Sequence, residues 1–147
     1  MGIINMRLTR FTDYSLRVLV HLGQNNDDRV TIHQISETYD ISKNHLMKVV
    51  SNLTRSKLVS AQRGPGGGIA LNREPENIKL HEIITVTEKR LQDFDISRPA
   101  HIDPSTADSR LSGYLRHAMH AYLSALEDFT LADVIYSDDE ALELLNI

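Results

Sequence analysis

The stretch that decides the fold runs from Thr31-Ile32-His33-Gln34, through Asp40-Ile41-Ser42-Lys43-Asn44-His45-Leu46, to Val59-Ser60-Ala61-Gln62-Arg63-Gly64-Pro65-Gly66-Gly67-Gly68-Ile69-Ala70-Leu71. Thr31 and Gln34 have capping-box spacing, so hydroxyl and amide can each satisfy the other's end of a first turn, which predicts a short helix from Ile32 to Tyr39. Asp40-Ile41 leaves room only for a tight connection. Ser42 is then a strong N-cap for a helix from Lys43 to about Lys57, with Leu46, Val49, Val50 and Leu53 turned inward. Two helices joined this closely read as a helix-turn-helix. Two short strands follow, from Val59 and from Ile69, around a turn of Gly64, Pro65, Gly66, Gly67 and Gly68, which makes a hairpin. Helix-turn-helix followed at once by hairpin is the winged-helix order.

Upstream, Leu8, Phe11, Tyr14, Val18, Leu19 and Leu22 recur at helical spacing, predicting a helix from Thr12 to Gly23, with Thr12 or Asp13 as cap and Gly23 as stop. Downstream, Leu80 to Val86 suggests one more short helix, and Glu88 to Ser109, with Pro99 and Pro104, loses periodicity. A loop of about twenty residues in a small domain is usually functional or disordered. Periodicity returns from Arg110 to Phe129 in two adjoining stripes, Leu111, Leu115, Met119, Tyr122, Leu126 and Phe129 beside Tyr114, Ala118, Ala121 and Ala125. A helix of that extent is about 30 Å long. A face so wide calls for a second partner, so Leu111, Leu115, Met119, Tyr122 and Leu126 are expected in a twofold dimer interface. Thr130-Leu131-Ala132-Asp133 and Ser137-Asp138-Asp139-Glu140 restart helical turns as a short acidic tail. The fold class is mainly α with a small β-hairpin wing: a winged helix-turn-helix plus a long C-terminal dimerisation helix. The expected division is a DNA-binding domain over 1–87, a sensor-type loop over 88–109, and the dimerisation helix with its tail over 110–147.

A chain of 147 residues can bury a core without staples, and the absence of cysteine excludes disulfides, thiolate nucleophiles and cysteine-held metal centres. The longest apolar runs, such as Leu16 to Leu22, are broken by Arg17 and His21, so no membrane span or cleavable signal is expected and a cytoplasmic location follows. The net charge of -4 is lopsided: residues 1–75 hold ten Lys/Arg against six Asp/Glu, and the remainder hold six against fourteen. The front half is therefore suited to phosphates and the rear half is not.

Ser42, Lys43, Asn44, His45 and Lys48 lie at the start of the third helix, where a recognition helix enters the major groove and free backbone N–H groups favour an anion. The same residues could be an ordinary solvated face; the adjoining hairpin favours DNA. Arg63 stands beside Gly64, Gly66, Gly67 and Gly68, where backbone can approach a phosphate or a narrow groove. Arg55, Lys57 and Arg73 are expected to complete a basic rim that positions the duplex.

The runs Leu8-Thr9-Arg10-Phe11-Thr12-Asp13-Tyr14-Ser15-Leu16-Arg17 and Ile41-Ser42-Lys43-Asn44-His45-Leu46-Met47-Lys48, the turn Arg63-Gly64-Pro65-Gly66-Gly67-Gly68 and the segment Leu126-Glu127-Asp128-Phe129-Thr130-Leu131-Ala132-Asp133 resemble the IscR/NsrR family of winged-helix repressors over nearly the whole chain, most nearly its nitric-oxide-sensing branch. The resemblance implies a homodimeric bacterial repressor with the third helix in the major groove, Arg63 in the minor groove and the long helix between subunits. It also implies an iron-sulfur cluster held by three cysteines before the long helix, and there the sequence departs. Ala100 and Ser109 stand near such positions, at wider spacing than the usual pattern, which favours a natural cluster-free member over a substituted variant. Asp13 matches an acidic residue that can complete the cluster from the other subunit; without cysteines, a capping or helix-surface role is expected for it.

His117 and His120 share a helix face and His101 precedes them, so a metal or a proton could be read there, but no third ligand has fixed spacing and no metal site or cofactor is expected. No phosphate loop, nucleophile elbow or HExxH motif occurs, so no enzymatic activity is expected. The expected function is a dimeric, sequence-specific DNA-binding regulator, a repressor, acting on palindromic double-stranded DNA. The alternative is a dimeric protein-interaction or ligand-sensing module on the same fold, answering to a protein or small-molecule effector.

Overall fold

A computed structural model describes residues 8–91 and 102–136. The first helix, α1 (Arg10–Gln24), is capped by Thr9, whose hydroxyl accepts the Thr12 amide at 3.3 Å. This moves the start ahead of the expected Thr12, because the Thr12 hydroxyl is committed elsewhere, to Thr87 and Glu88. Gly23 does not stop the helix. It is buried within α1, where a Cβ would collide with Ile135, so its missing side chain admits a neighbour.

The helix-turn-helix forms as expected. In α2 (Ile32–Tyr39) the capping box closes both ways, Gln34 Oε1 accepting the Thr31 amide at 2.7 Å and Thr31 Oγ1 accepting the Gln34 amide at 3.2 Å. Asp40 turns the chain with φ 51°, and α3 (Lys43–Arg55) follows from Ser42. The end of α3 falls before Lys57 because Lys57 adopts φ 61°, the Leu58 amide donates back to the Leu53 carbonyl at 3.0 Å, and the Lys57 amide donates to the Thr54 carbonyl at 3.0 Å. That is a Schellman termination, with Leu58 buried as its hydrophobic anchor.

Strands β1 (Val59–Gln62) and β2 (Gly68–Leu71) pair antiparallel, Val59 opposite Leu71 and Gln62 opposite Gly68. A third segment joins them: Val30 and Ile69 exchange backbone hydrogen bonds of 2.9 and 2.8 Å, tying the start of α2 to the wing. Gly68 sits at this crossing with φ 141°, and a Cβ there would lie 2.8 Å from the Val30 carbonyl oxygen.

After α4 (Leu80–Thr87) and a 3-10 turn over Lys89–Leu91, the long helix α5 spans Ala107–Leu126. It begins ahead of the expected Arg110 because Thr106 caps it, accepting the Ser109 amide at 3.1 Å. It ends before Phe129 because the chain turns there to pair with the head: Leu80 donates to the Phe129 carbonyl at 2.9 Å and Leu131 to the Ile78 carbonyl at 2.8 Å. The last helix, α6 (Leu131–Ile135), opens on a Thr130/Asp133 capping box and packs on α1, placing Leu131 in the main core with Leu19, Leu22, Leu46, Leu53 and Ile83. A second cluster joins Ile84 and Leu91 to Leu123 of α5. The expected tail turn over 137–140 lies outside the described residues. Among the described residues no helix is long and apolar enough to cross a membrane.

Candidate nucleic-acid interface

Because Leu46, Val49, Val50 and Leu53 bury one face of α3, the residues between them must point outward. Asn44, Met47, Lys48, Ser51 and Arg55 form one exposed ridge lining a shallow groove. Lys43 and Asn44 occupy the first turn, where backbone N–H groups have no intrahelical acceptor. The Ser42 hydroxyl is spent on the cap, accepting the His45 amide at 3.3 Å, and the His45 ring lies 5.9 Å from that of Tyr14 on α1. Ser51 is a ridge residue that the sequence reading does not single out, although steps of three and four from Asn44 through Met47 to Ser51 mark the same face.

Lys57 is exposed at the left-handed end of α3, and Arg63, Gly64 and Gly66 are exposed at the tip of the wing. Gly67 and Gly68 are half-buried, held by contacts within the hairpin and with Val30. Among the described residues no carboxylate lies within ion-pair distance of Lys43, Lys48, Arg55, Lys57 or Arg63. Arg73 differs: although exposed, it pairs with Glu82 and donates to the Asn77 carbonyl at 3.1 Å, so a carboxylate offsets its charge. Asp13 pairs with Arg17 at 3.1 Å on the surface of α1, in keeping with a helix-surface role.

Behind the ridge lies a residue that periodicity could not flag. Glu88, 8% exposed, accepts at one oxygen from the Thr9 amide (2.7 Å), the Thr9 hydroxyl (3.0 Å) and the Thr12 hydroxyl (2.6 Å). Burial pushes its carboxyl up, but these hydrogen bonds and the nearby Arg90 charge outweigh burial and hold it below the ordinary glutamate range. On the other side, burial and then the charge of Glu88 push the Tyr122 phenol of α5 up. One carboxylate thus stands between the start of α1 and the long helix.

On α5, Leu111 (57% exposed), Tyr114 (56%) and Leu115 (64%) face outward, whereas Met119, Tyr122 and Leu126 are half-buried against their own chain's second cluster. His101 lies outside the described residues, and among those described no group of three His, Cys, Asp or Glu is arranged to hold a metal.

Residues 8–137 match Rrf2, a family described as iron-dependent transcriptional regulators. The chain belongs to the Rrf2 family. It is 38% identical over 146 residues to the HTH-type transcriptional regulator NsrR of Bacillus subtilis strain 168, covering 97% of this chain and 99% of that one. The regulator of the same name from Bacillus licheniformis is 39% identical, over 96% of this chain and 100% of its own. Among solved structures, IscR of T. potens superposes with a TM-score of 0.69 at 25% identity, covering 93% of this chain and 91% of that one. CymR, the global cysteine regulator of B. subtilis, superposes with a TM-score of 0.68 at 24% identity over 91% of this chain and 99% of its own, which speaks to fold alone. As an Rrf2 member this winged-helix chain is a DNA-binding transcriptional regulator. Its donor set does not fit an iron-sulfur cluster held by thiolates, because no cysteine occurs anywhere in the 147 residues.

Proposed function

We propose that the protein is a homodimeric repressor that reads a palindromic operator through two winged helix-turn-helix heads and does so without a cysteine-ligated cluster. The observation that carries this reading is the outward ridge of α3, whose Lys48 and Arg55 have no carboxylate within ion-pair distance among the described residues. Lys43, Asn44 and His45 contact base edges or phosphates at the start of α3, with Ser42 holding that turn in shape; Lys48 and Lys57 contact phosphates. Arg63, on the turn made by Gly64, Gly66, Gly67 and Gly68, enters the minor groove. The DNA-binding head lies within residues 1–87, closed from behind by α6. Leu111, Tyr114 and Leu115, with Ala118 and Ala125, form the strip that a second copy covers, while Met119, Tyr122 and Leu126 hold the strip to its own head. No catalytic step is assigned to any residue, and the site of action is the cytoplasm.

The test is a pull-down of genomic fragments followed by mobility shifts on a retained fragment across a salt series. Operator binding through phosphates weakens steeply as salt rises, by a log–log slope of about 0.9 per neutralised phosphate. Absence of salt-sensitive binding to any fragment overturns the reading in favour of a protein-interaction module.

A further inference from the structure

A cavity of about 500 Å³ opens between the start of α1, the flank of α3 and the end of α4. That is the size of a small-molecule site. Phe11 and Val86 are the apolar residues that line it, and four cations stand around it: Lys48 and Arg55 from α3, and Lys89 and Arg90 from the turn after α4. The one carboxylate in the wall, Glu88, already has an oxygen occupied by three donors from Thr9 and Thr12. Four positive groups against one negative leave an electropositive rim over an apolar floor.

We propose that this cavity binds a small amphipathic anion, an aromatic or aliphatic body bearing a carboxylate or phosphate, as an effector of the regulator. The body lies on Phe11 and Val86 and the acidic group meets Lys89, Arg90 and the two α3 cations. Lys48 and Arg55 line both this cavity and the outer groove of α3. An anion held inside draws on the charge that the ridge offers to phosphates, so occupancy lowers DNA affinity. That consequence rests on the reading of α3 as the DNA-facing helix; the binding of the anion does not.

The experiment titrates the full-length protein with 1-naphthyl phosphate, followed by probe fluorescence, with 1-naphthol as the uncharged control. Saturable binding of the phosphate, with 1-naphthol at least about tenfold weaker, is expected. The Lys89→Gln/Arg90→Gln double variant, changed only at exposed side chains, should lose the probe by about tenfold or more while its circular dichroism stays that of the parent. Added operator fragment should displace the probe. Equal binding of 1-naphthol, or an unchanged affinity in the double variant, overturns the proposal. So does a double variant that loses DNA affinity when no small anion binds the parent, which would make the cavity part of the DNA surface. A parent that binds the probe but no DNA fragment keeps the anion site and overturns the reading of α3.

Discussion

The Thr12 hydroxyl donates to the Glu88 carboxylate at 2.6 Å, joining the first turn of α1 to the residue that ends α4. The contact is buried and is reinforced at the same oxygen by both the amide and the hydroxyl of Thr9. A charged acceptor with several donors is stronger than a neutral one, and its removal strands those donors. Glu88→Ala should therefore lower stability by about 1–3 kcal/mol, with Glu88→Gln milder because one acceptor oxygen remains. Thermal denaturation of the two variants beside the parent gives the comparison; an unchanged midpoint for Glu88→Ala would show the network to be idle.

The same carboxylate makes stability depend on pH in a definite direction. Its folded value lies below the ordinary 4.5, so the unfolded chain takes up the proton first as pH falls. The stabilisation is complete above that ordinary value and drains away as pH drops through the lower folded one. The gap in thermal midpoint between the parent and Glu88→Gln should stay constant near neutrality and narrow below about pH 4.5. A gap that widens in acid would contradict the assigned direction.

Local chemistry makes the DNA-facing head readable. The Thr31/Gln34 capping box, the Ser42 cap and the glycine turn each act within a few residues, so the order of helices and wing follows from neighbours along the chain. The features that cannot be read depend on distant contact. Gly23 has the same look whether it stops a helix or admits Ile135, and only the return of α6 onto α1 decides. Arg73 counts as a basic-rim candidate until Glu82 is found beside it. Glu88 stands where periodicity fades, and nothing in its neighbours announces Thr9 and Thr12 as partners. On α5 the two apolar stripes are visible in the sequence, but which residues meet the chain's own core is decided by Ile84 and Leu91.

Gly23→Val tests the packing role directly. The new side chain must displace the terminal methyl of the half-buried Ile135, so the cost should fall at the lower end of the about 1–3 kcal/mol typical of overpacking. The companion Ile135→Ala should relieve part of that cost, giving a non-additive double mutant. Strict additivity in denaturant melts would mean that the two positions do not touch.

The wing and the ridge should fail in different ways. Lys48→Ala should weaken binding to all sequences alike and flatten the log–log salt dependence by about 0.9 for each phosphate it no longer neutralises. Arg63→Ala should cost about 1–3 kcal/mol on the operator and relax preference only where the minor groove is read. Mobility shifts on operator and scrambled duplexes at two salt concentrations separate the two; undiminished affinity of Arg63→Ala removes the wing from recognition.

The exposed strip on α5 predicts an assembly. Leu111 and Leu115 are 57% and 64% exposed, and burying a leucine fully is worth about 1.5–3 kcal/mol. A Leu111→Glu/Leu115→Glu variant should run as a folded monomer in analytical ultracentrifugation and lose cooperative operator binding, since its own core uses Leu123 rather than either leucine. A parent that is monomeric at micromolar concentration would remove this interface.

Membership of a family described as iron-dependent stands against a chain with no cysteine. Iron-sulfur clusters are held chiefly by thiolates, and His, Asp and Glu do not gather in threes around any point among the described residues. Incubation with ferrous iron, sulfide and a reductant should leave the visible spectrum without cluster absorbance. Operator affinity should then be the same before and after exposure to nitric oxide, while the amphipathic-anion probe still competes with DNA. A nitric-oxide response in the purified protein would mean that other side chains have taken over the thiolates' chemistry, and substituting His117 and His120 in turn would show whether the α5 histidines are those residues.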